Sequence, residues 1–460
     1  MGTAGRTSRT LDVTTRSAEV EDLLREYPDV PQEAVFKEDL LRIGVDFSDD
    51  ALRLAAAAKP KSYFIFSFDL RPIEGMERDE NLKAPEEIAL VGGPRDFRRT
   101  IVSVRLNPDS SYRVEVEDGE LVLRVDGMTT LCGVVLQPTP PYYQRALASG
   151  KSVTEIAPTI EWGYLVYLTV YRKCQYFGFK EECTFCDINE NVRQQKAAGR
   201  SYTTIKEVDE ILEALTIIDE EERTVEGDGD DSSGSKRTHA YTLTGGSVTK
   251  HLRGKDEAEF YGEYARAIND RFPGRWISKL VVQALPREAL LGFRDAGVQI
   301  YHPNYEVWDP RLFSLLCPGK ERHVGREEWM RRILAGAEVF GPSHVIPNFV
   351  AGVELARPHG FDTVDEALRS TGEGLDFFMS HGVTPRFTTW CPEPLSVLGK
   401  DQGPAPLGYH VGLLRLWRET LERHKLPAPP GYGDPGVGNA VFSVSAFMDA
   451  LDPGTPVAAL

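Results

Sequence analysis

The sequence lacks the features that would point to a membrane or a nucleic acid as its partner. No apolar run approaches the ~20 residues needed to cross a bilayer. Basic residues are not in excess, since 53 Lys and Arg stand against 70 Asp and Glu and give a formal net charge of −17. A surface this acidic repels phosphate backbones and anionic lipids. We therefore expect neither nucleic acid nor a membrane as a partner.

The chain is also poor in cysteine and shows no secretory signature. Six cysteines among 460 residues are too few for a disulfide scaffold and are ordinary for a reducing compartment. The first residues carry Arg6, Arg9 and Arg16 but no apolar run, so they do not resemble a signal peptide. These observations predict a cytoplasmic protein.

The first third of the chain is predicted to form an α+β accessory region. Residues 1–60 have apolar positions at helical spacing, and residues 61–145 consist of short β-rich runs, the first of them at 63–66. Two of these runs flank Asp118-Gly119, which is a strong hairpin signal. The sequence therefore predicts an N-terminal helical segment followed by a small β-rich domain.

The rest of the chain has a different rhythm. Between residues 160 and 425, six strand-like runs, one of them at 345–350, alternate with amphipathic stretches, the last of them Leu407–Arg423. This alternation predicts an α/β fold with a partial or full (β/α) barrel. Chemistry on such a barrel belongs at the C-terminal ends of its strands. Residues 219–237 are acidic and rich in Gly and Ser, and we expect them to be a disordered insertion. Residues 426–460 are a C-terminal extension.

Three cysteines follow the first predicted barrel strand directly. Cys174, Cys183 and Cys186 form the pattern C-x8-C-x2-C, and thiolates at this spacing can converge on a soft metal or an iron–sulfur cluster. A structural zinc site normally needs four protein ligands. All nine histidines lie at His239 or later, so none stands beside the three cysteines. A zinc site with a distant fourth ligand and an iron–sulfur cluster with one open iron both remain possible at this point.

The cysteine pattern resembles that of the radical S-adenosylmethionine (SAM) superfamily. The usual motif of that family is C-x3-C-x2-C with an aromatic residue before the third cysteine. Phe185 fills the aromatic position here, and the final C-x2-C matches, whereas the first interval is longer. The resemblance implies that the three cysteines hold a [4Fe-4S] cluster and that SAM binds its open iron.

Later motifs add candidate SAM contacts in the order that this family would require. Gly245, Gly246 and Ser247 end the second strand, where the family has a Gly-Gly-Glu-like motif that binds the SAM amino group. Asn304 and Glu306 resemble the Asn-x-Asp/Glu that ends the corresponding strand in the biotin synthase and lipoyl synthase branch.

The last two strand ends supply weaker candidates. Val350 and Gly352 match a glycine-containing strand end that lies beside the adenine in this family. Glu354, and Cys391 beside Trp390 and Glu393, are candidate catalytic or substrate-facing residues.

The activity that the resemblance implies is reductive cleavage of SAM to methionine and a 5′-deoxyadenosyl radical, which takes hydrogen from a small-molecule or peptide substrate. An electron donor such as flavodoxin or ferredoxin would be required. Sulfur insertion is disfavoured, because the chain lacks the second cysteine triad of lipoyl synthases. The competing interpretation is a non-enzymatic protein that carries an iron–sulfur cluster or a structural zinc ion on the same scaffold.

Overall fold

The computed structural model describes residues 15–61, 84–197, 203–224 and 237–460. Its helices are α1 Arg16–Glu26, α2 Gln32–Ile43, α3 Asp49–Ala55, α4 Val153–Ile156, α5 Ile188–Ala197, α6 Val208–Thr224, α7 Glu257–Arg271, α8 Arg287–Asp295, α9 Pro310–Leu316, α10 Pro318–His323, α11 Arg326–Phe340, α12 Val364–Ser380 and α13 Leu407–Arg423. Within these ranges, no helix combines the length and the apolar character that a membrane span requires.

The strands fall into three sheets. They are β1 Asp46–Phe47, β2 Glu87–Gly92, β3 Phe97–Ser103, β4 Tyr112–Glu117, β5 Glu120–Val125, β6 Thr129–Leu136, β7 Thr159–Ile160, β8 Leu165–Tyr171, β9 Ala240–Gly245, β10 Ile277–Val282, β11 Ile300–Pro303, β12 Asn348–Ala351 and β13 Arg386–Thr389. The orders are β1-β4-β5-β6-β2-β3, β11-β10-β9-β8-β7 and β12-β13. We call the first the accessory sheet, and β8 to β13 the barrel strands.

The barrel strands run parallel and alternate with helices, which confirms the predicted α/β fold. β8, β9, β10 and β11 pair in chain order, and β12 pairs with β13. Two bridges, Tyr301 to Val345 and Glu306 to Phe349, connect β11 to the chain around β12. Within the described ranges the strands do not close on themselves, so the barrel is partial.

The accessory sheet and the C-terminal segment, residues 426–460, occupy the gap between the first and last barrel strands. The amides of Glu161 and Trp162, just after β7, donate to the Glu87 carboxylate of β2 at 2.7 Å each. At the other edge, the Ser103 amide of β3 donates to the Ser443 carbonyl at 2.9 Å, and the Thr389 amide of β13 donates to the Val444 carbonyl at 3.2 Å. The accessory region is thus part of the wall around the barrel interior.

Local sequence signals are confirmed where they are strong. Asp118 and Gly119 have φ angles of 52° and 86° and join β4 to β5, as a two-residue hairpin loop requires. The strand predicted over 345–350 is shorter than expected, because β12 begins at Asn348. Pro347 has no N–H to donate to a strand ladder, and Val345 and Ile346 pair with Tyr301 instead.

The predicted disordered insertion at 219–237 needs a correction. Helix α6 continues to Thr224, and its last turns bury Asp219 and Glu222. Both carboxylates bind Arg275, at 2.6 Å and 2.5 Å, so the acidic residues at 219–224 belong to a packed helix. Residues 225–236 lie outside the described part of the chain, as does the strand-like run at 63–66.

Candidate functional site

The three clustered cysteines lie on a loop that leaves the C-terminal end of β8. We call residues 174–186 the thiol loop. All three are half-buried, and they line a cavity at the C-terminal ends of the barrel strands, with Phe185 among its walls. We call this space, about 1330 Å³ including its opening, the outer cavity. The structure therefore brings the cysteines of the motif to one cavity, at the edge where β/α barrels carry their chemistry.

The Gly-Gly pair at the end of β9 lets the thiol loop approach closely. A Cβ atom on Gly246 would lie 1.9 Å from the Lys173 carbonyl oxygen, and one on Gly245 would lie 2.5 Å from that of Tyr171. The Gly246 amide donates to the Tyr171 carbonyl at 3.0 Å, and the Ser247 carbonyl accepts from the Gln175 amide at 3.0 Å. Glycine is therefore required where this strand end meets the loop.

The segment between α9 and α10 forms the other support of the thiol loop. The Thr184 amide donates to the Leu316 carbonyl at 2.8 Å, and the Gly319 amide donates to the Glu181 carbonyl at 2.9 Å. These bonds place the fully buried Cys317 near Cys183, whose thiol is among the groups that raise the pKa of Cys317. Sequence spacing could not reveal this fourth cysteine, because it lies on a different β/α unit.

The thiols fit a metal centre by their chemistry. Burial, with a smaller contribution from the Cys183 sulfur, raises the pKa of Cys174 to about 11. Burial, followed by the Asp187 carboxylate and the neighbouring sulfurs, raises the pKa of Cys186 well above its ordinary value. The thiols would therefore be neutral unless a cation lowered their pKa values, as a soft metal does. Among the described residues, no three Cys, His, Asp or Glu side chains are already arranged as a metal-binding set, so cluster binding would require the thiols to move into a common arrangement.

The Asn304–Glu306 motif lies opposite the thiol loop. Glu306 has φ 82°, a strained value for a residue with a side chain, and its backbone is fixed by bonds of 2.9 Å to Asn348 and Val350. Lys320 donates to the Glu306 carboxylate at 2.5 Å and to the Asn304 carbonyl at 2.8 Å. The Asn304 Oδ1 atom is buried and has no hydrogen-bond partner in the described part of the chain, as expected of an acceptor that awaits a ligand.

An acidic residue that the sequence analysis missed stands beside the Gly-Gly pair. Glu257, at the start of α7, lines the outer cavity and accepts from the amides of Val248 at 2.6 Å and Gln283 at 2.9 Å. Burial raises the pKa of its carboxyl. Ser247 stands where the family motif has an acid, and the fold places the Glu257 carboxylate close by. The sequence pattern did not reveal Glu257, because it lies ten residues after Ser247.

The candidates on the last two strands separate into two groups. Val350, Trp390, Cys391 and Glu393 line the outer cavity. Gly352 packs against Ala405 and His410, outside the lining residues. Glu354 is also buried elsewhere, where it accepts from Thr371 at 2.9 Å, from Gly352 at 2.7 Å and from Tyr409. These bonds give Glu354 a structural role, so it does not reach the cavity as the sequence interpretation required.

Arg105 extends the cavity wall into the accessory region. It follows β3, is 2% exposed, and donates to the Thr389 carbonyl at 2.8 Å and to the Leu41 carbonyl. Burial raises the pKa of the Cys391 thiol to about 12, although a hydrogen bond from Arg105 lowers it. Cys391 is therefore a neutral thiol beside a fixed guanidinium. Nothing in the local sequence around Arg105 indicated this position.

Comparisons with known proteins give a likeness to solved structures only. No protein-family model matches the chain, and no curated protein matches it either. The chain is similar to methylornithine synthase (PylB), with 15% identity and a TM-score of 0.38 over 58% of this chain and 64% of that one. It is also similar to coproporphyrinogen III oxidase (HemN) from Escherichia coli, described as a radical SAM enzyme, with 12% identity and a TM-score of 0.33 over 57% and 52% of the chains.

A third similar structure is the radical S-adenosylmethionine methyltransferase TsrM from Kitasatospora setae, with 12% identity and a TM-score of 0.32 over 67% of this chain and 47% of that one. This chain therefore covers between about half and two thirds of the length of these three proteins. The descriptions of coproporphyrinogen III oxidase and of TsrM both name radical SAM chemistry.

Proposed function

We propose that this protein is a radical SAM enzyme that acts on a small molecule held inside its barrel. The observation that carries the proposal is the position of Cys174, Cys183 and Cys186, whose thiols line one cavity at the C-terminal ends of the parallel strands. Three soft ligands are the set that leaves one iron of a [4Fe-4S] cluster open to a further ligand.

The cluster and SAM would supply the reactive chemistry, a reductive carbon–sulfur bond cleavage that yields a 5′-deoxyadenosyl radical. The chain itself supplies binding and orientation. Asn304 offers its unpartnered Oδ1 atom to the cofactor, Glu306 and Lys320 present a paired carboxylate and ammonium, and Glu257 stands near the Gly-Gly turn as an acceptor for an amino group. The accessory sheet closes the side of the barrel and excludes water from the reacting atoms.

The test is a SAM cleavage assay on anaerobically reconstituted protein. The wild type is expected to bind about four iron atoms and to release 5′-deoxyadenosine when dithionite is supplied. Cys183→Ala should lose both properties. Cys132→Ala is the matched control, because Cys132 is buried in β6, away from the cavity. A wild type that takes up zinc and ignores SAM, or a Cys183→Ala variant that cleaves SAM normally, would exclude the proposal.

The position of Cys317 near Cys183 favours one other candidate, a closed centre with four thiolates. Such a centre would serve structure or electron transfer, because it leaves no open iron. Cys317→Ala separates the two functions. If the centre has three ligands, this variant keeps its iron and still releases 5′-deoxyadenosine. If Cys317 is a ligand, iron content falls as it does in Cys183→Ala.

A further inference from the structure

A second cavity lies deeper in the barrel, beneath the outer cavity. We call this space, about 680 Å³ including its opening, the inner cavity. The two cavities share Tyr167, Val281, Arg386 and Thr388 in their walls. On β9, Thr242 lines the inner cavity and Thr244 lines the outer one. At the end of β11, His302 lines the inner cavity and Asn304 lines the outer one. Because alternate strand residues face the same side, the two cavities are successive layers along one barrel axis.

The lining of the inner cavity is mainly apolar, but it contains several ionisable side chains. Barrel interiors of this kind are ordinarily packed with Val, Ile and Leu, yet Glu161, His302 and Arg386 face this space. Burying charged groups is costly unless each is paired. Such a lining therefore requires either complete internal pairing or a ligand that completes it.

The backbone of Glu161 is fixed by hydrogen bonds, whereas one oxygen of its side chain has no hydrogen-bond partner among the described residues. Glu161 and Trp162 have φ angles of 55° and 57°, and their amides are both held by the Glu87 carboxylate. Glu161 is 2% exposed, and its Oε2 atom has no hydrogen-bond partner among the described residues. The turn therefore places a carboxylate in the cavity wall and fixes it there.

Arg386 carries the complementary charge on another wall. One guanidinium nitrogen donates to the Tyr432 hydroxyl at 3.1 Å, and the group lies 5.0 Å from the centre of the Phe442 ring. Its Nε atom is buried without a hydrogen-bond partner in the described ranges, and no carboxylate of those ranges forms an ion pair with it. The charge of Lys279 also acts on Glu161, but its ammonium group already donates to the Gly431 carbonyl at 2.8 Å and lies 3.8 Å from the Tyr432 ring centre.

We propose that the inner cavity binds a small zwitterion of the amino-acid class. Its ammonium group donates to Glu161, and its carboxylate accepts from Arg386. An anion alone would leave the Glu161 Oε2 atom without a donor, and a cation alone would leave the Arg386 Nε atom without an acceptor, whereas a zwitterion supplies both. The proposal rests on the proposed function only for what happens to the ligand after it binds.

The test is a binding measurement on the full-length protein without cluster or SAM. Each common L-amino acid is titrated by calorimetry and by thermal unfolding, beside its N-acetyl and its carboxamide derivative. At least one free amino acid is expected to raise the Tm in a concentration-dependent manner, and its two blocked derivatives are not. Because no SAM chemistry is involved, failure here is distinct from failure to release 5′-deoxyadenosine.

Variants assign the two ends of the ligand. Arg386→Gln should weaken binding by roughly tenfold or more, because a charge-assisted hydrogen bond is lost. Glu161→Gln should weaken binding of the amino acid by a similar factor. It should also abolish the preference of the protein for the free amino acid over its N-acetyl derivative. Arg287→Gln and Glu338→Gln serve as controls, since this pair is 3.8 Å apart on the surface.

Two results overturn the proposal. One is that no amino acid binds the folded wild type. The other is that an amino acid binds but with the same affinity in Glu161→Gln as in the wild type. Should Arg386→Gln fail to fold, Glu161→Gln and the blocked derivatives still decide the question.

Discussion

Two groups of buried charges in this molecule differ in how completely they are paired. The first lies on α2, where Lys37, Glu38 and Asp39 are successive residues with 0% exposure. The second lies around the inner cavity, where Glu161 and Arg386 face the same space. Both groups violate the rule that charged residues avoid the interior. Their hydrogen bonds show that they do so for different reasons.

Each charge on α2 connects a different part of the chain. Lys37 forms an ion pair with Asp449 of the C-terminal segment at 2.7 Å. The Glu38 carboxylate accepts from the Ala446 amide at 2.7 Å and from the Thr389 hydroxyl of β13. Asp39 accepts from Tyr112 of β4 at 2.7 Å. This helix is therefore the point at which the accessory sheet, the barrel and the C-terminal segment are joined.

A shifted pKa alone would not have separated the two groups. Burial raises the pKa of Glu38 to about 7, and it raises the pKa of Glu161 to about 7 as well. What distinguishes them is that both Glu38 oxygens accept hydrogen bonds, whereas Glu161 Oε2 accepts none from the described residues. An incomplete set of partners, more than burial, marks the site to which a ligand is expected to bind.

The largest expected change in stability comes from removing one partner of a buried ion pair on α2. Lys37→Met leaves the Asp449 carboxylate buried without its counter-ion, and we expect it to lower the free energy of unfolding by about 3–5 kcal/mol. Urea denaturation measures this change. Arg25→Met is the control, since its ion pair with Asp22 is about two thirds exposed and should be worth less than about 1 kcal/mol. Equal losses in the two variants would contradict the structural role of α2.

Periodicity in the sequence was enough to predict most of the β/α region. The predicted bounds of α13, Leu407–Arg423, agree with the structure, because its apolar face packs continuously and its ends carry clear signals. The predictions for the accessory region were less complete. The pairing of β1 with β4 joins residues 46–47 to residues 113–114, and no local pattern encodes such a long-range contact.

The candidate site was predictable only where its residues are neighbours in sequence. The C-x8-C-x2-C, Gly-Gly and Asn-x-Glu motifs reach the outer cavity, since each lies at the end of one strand. Cys317, Glu257 and Arg105 arrive from other β/α units or from the accessory sheet, so spacing gave no signal for them. The sequence left the role of Glu354 open, because a carboxylate after a strand end satisfies local donors as readily as it faces a ligand.

The second expected effect concerns the pH dependence of stability. A carboxyl with a raised pKa in the folded state favours folding while it is protonated, so its contribution is present below about pH 4.5 and is lost as the pH rises through about 7. A change in pKa from 4.5 to about 7 corresponds to roughly 3 kcal/mol. Glu161→Gln should therefore match the wild type near pH 4.5 and become more stable than it by up to that amount at pH 8.

Urea denaturation from pH 4.5 to 8 checks this expectation, and Glu338→Gln, on the surface, is the control. Curves for the wild type and Glu161→Gln that stay parallel over this range would mean that Glu161 is already paired or solvated. The charges of the inner cavity would then be as fully paired as those on α2, and the two groups would no longer differ in the completeness of their pairing.

The smallest expected effect is measured at a pH where both carboxyl groups are neutral, so that it reports hydrogen bonding without charge. At pH 5 both Glu38 and Glu161 are largely protonated, because their pKa values are each raised to about 7. Leucine has a similar size and offers no acceptor. Glu38→Leu then leaves the Ala446 amide and the Thr389 hydroxyl without an acceptor and should cost about 2 kcal/mol. Glu161→Leu removes no partner of another group and should cost less than about 1 kcal/mol. If the two substitutions cost the same at pH 5 in urea denaturation, the completeness of hydrogen bonding does not distinguish the structural charges from the ligand-binding ones.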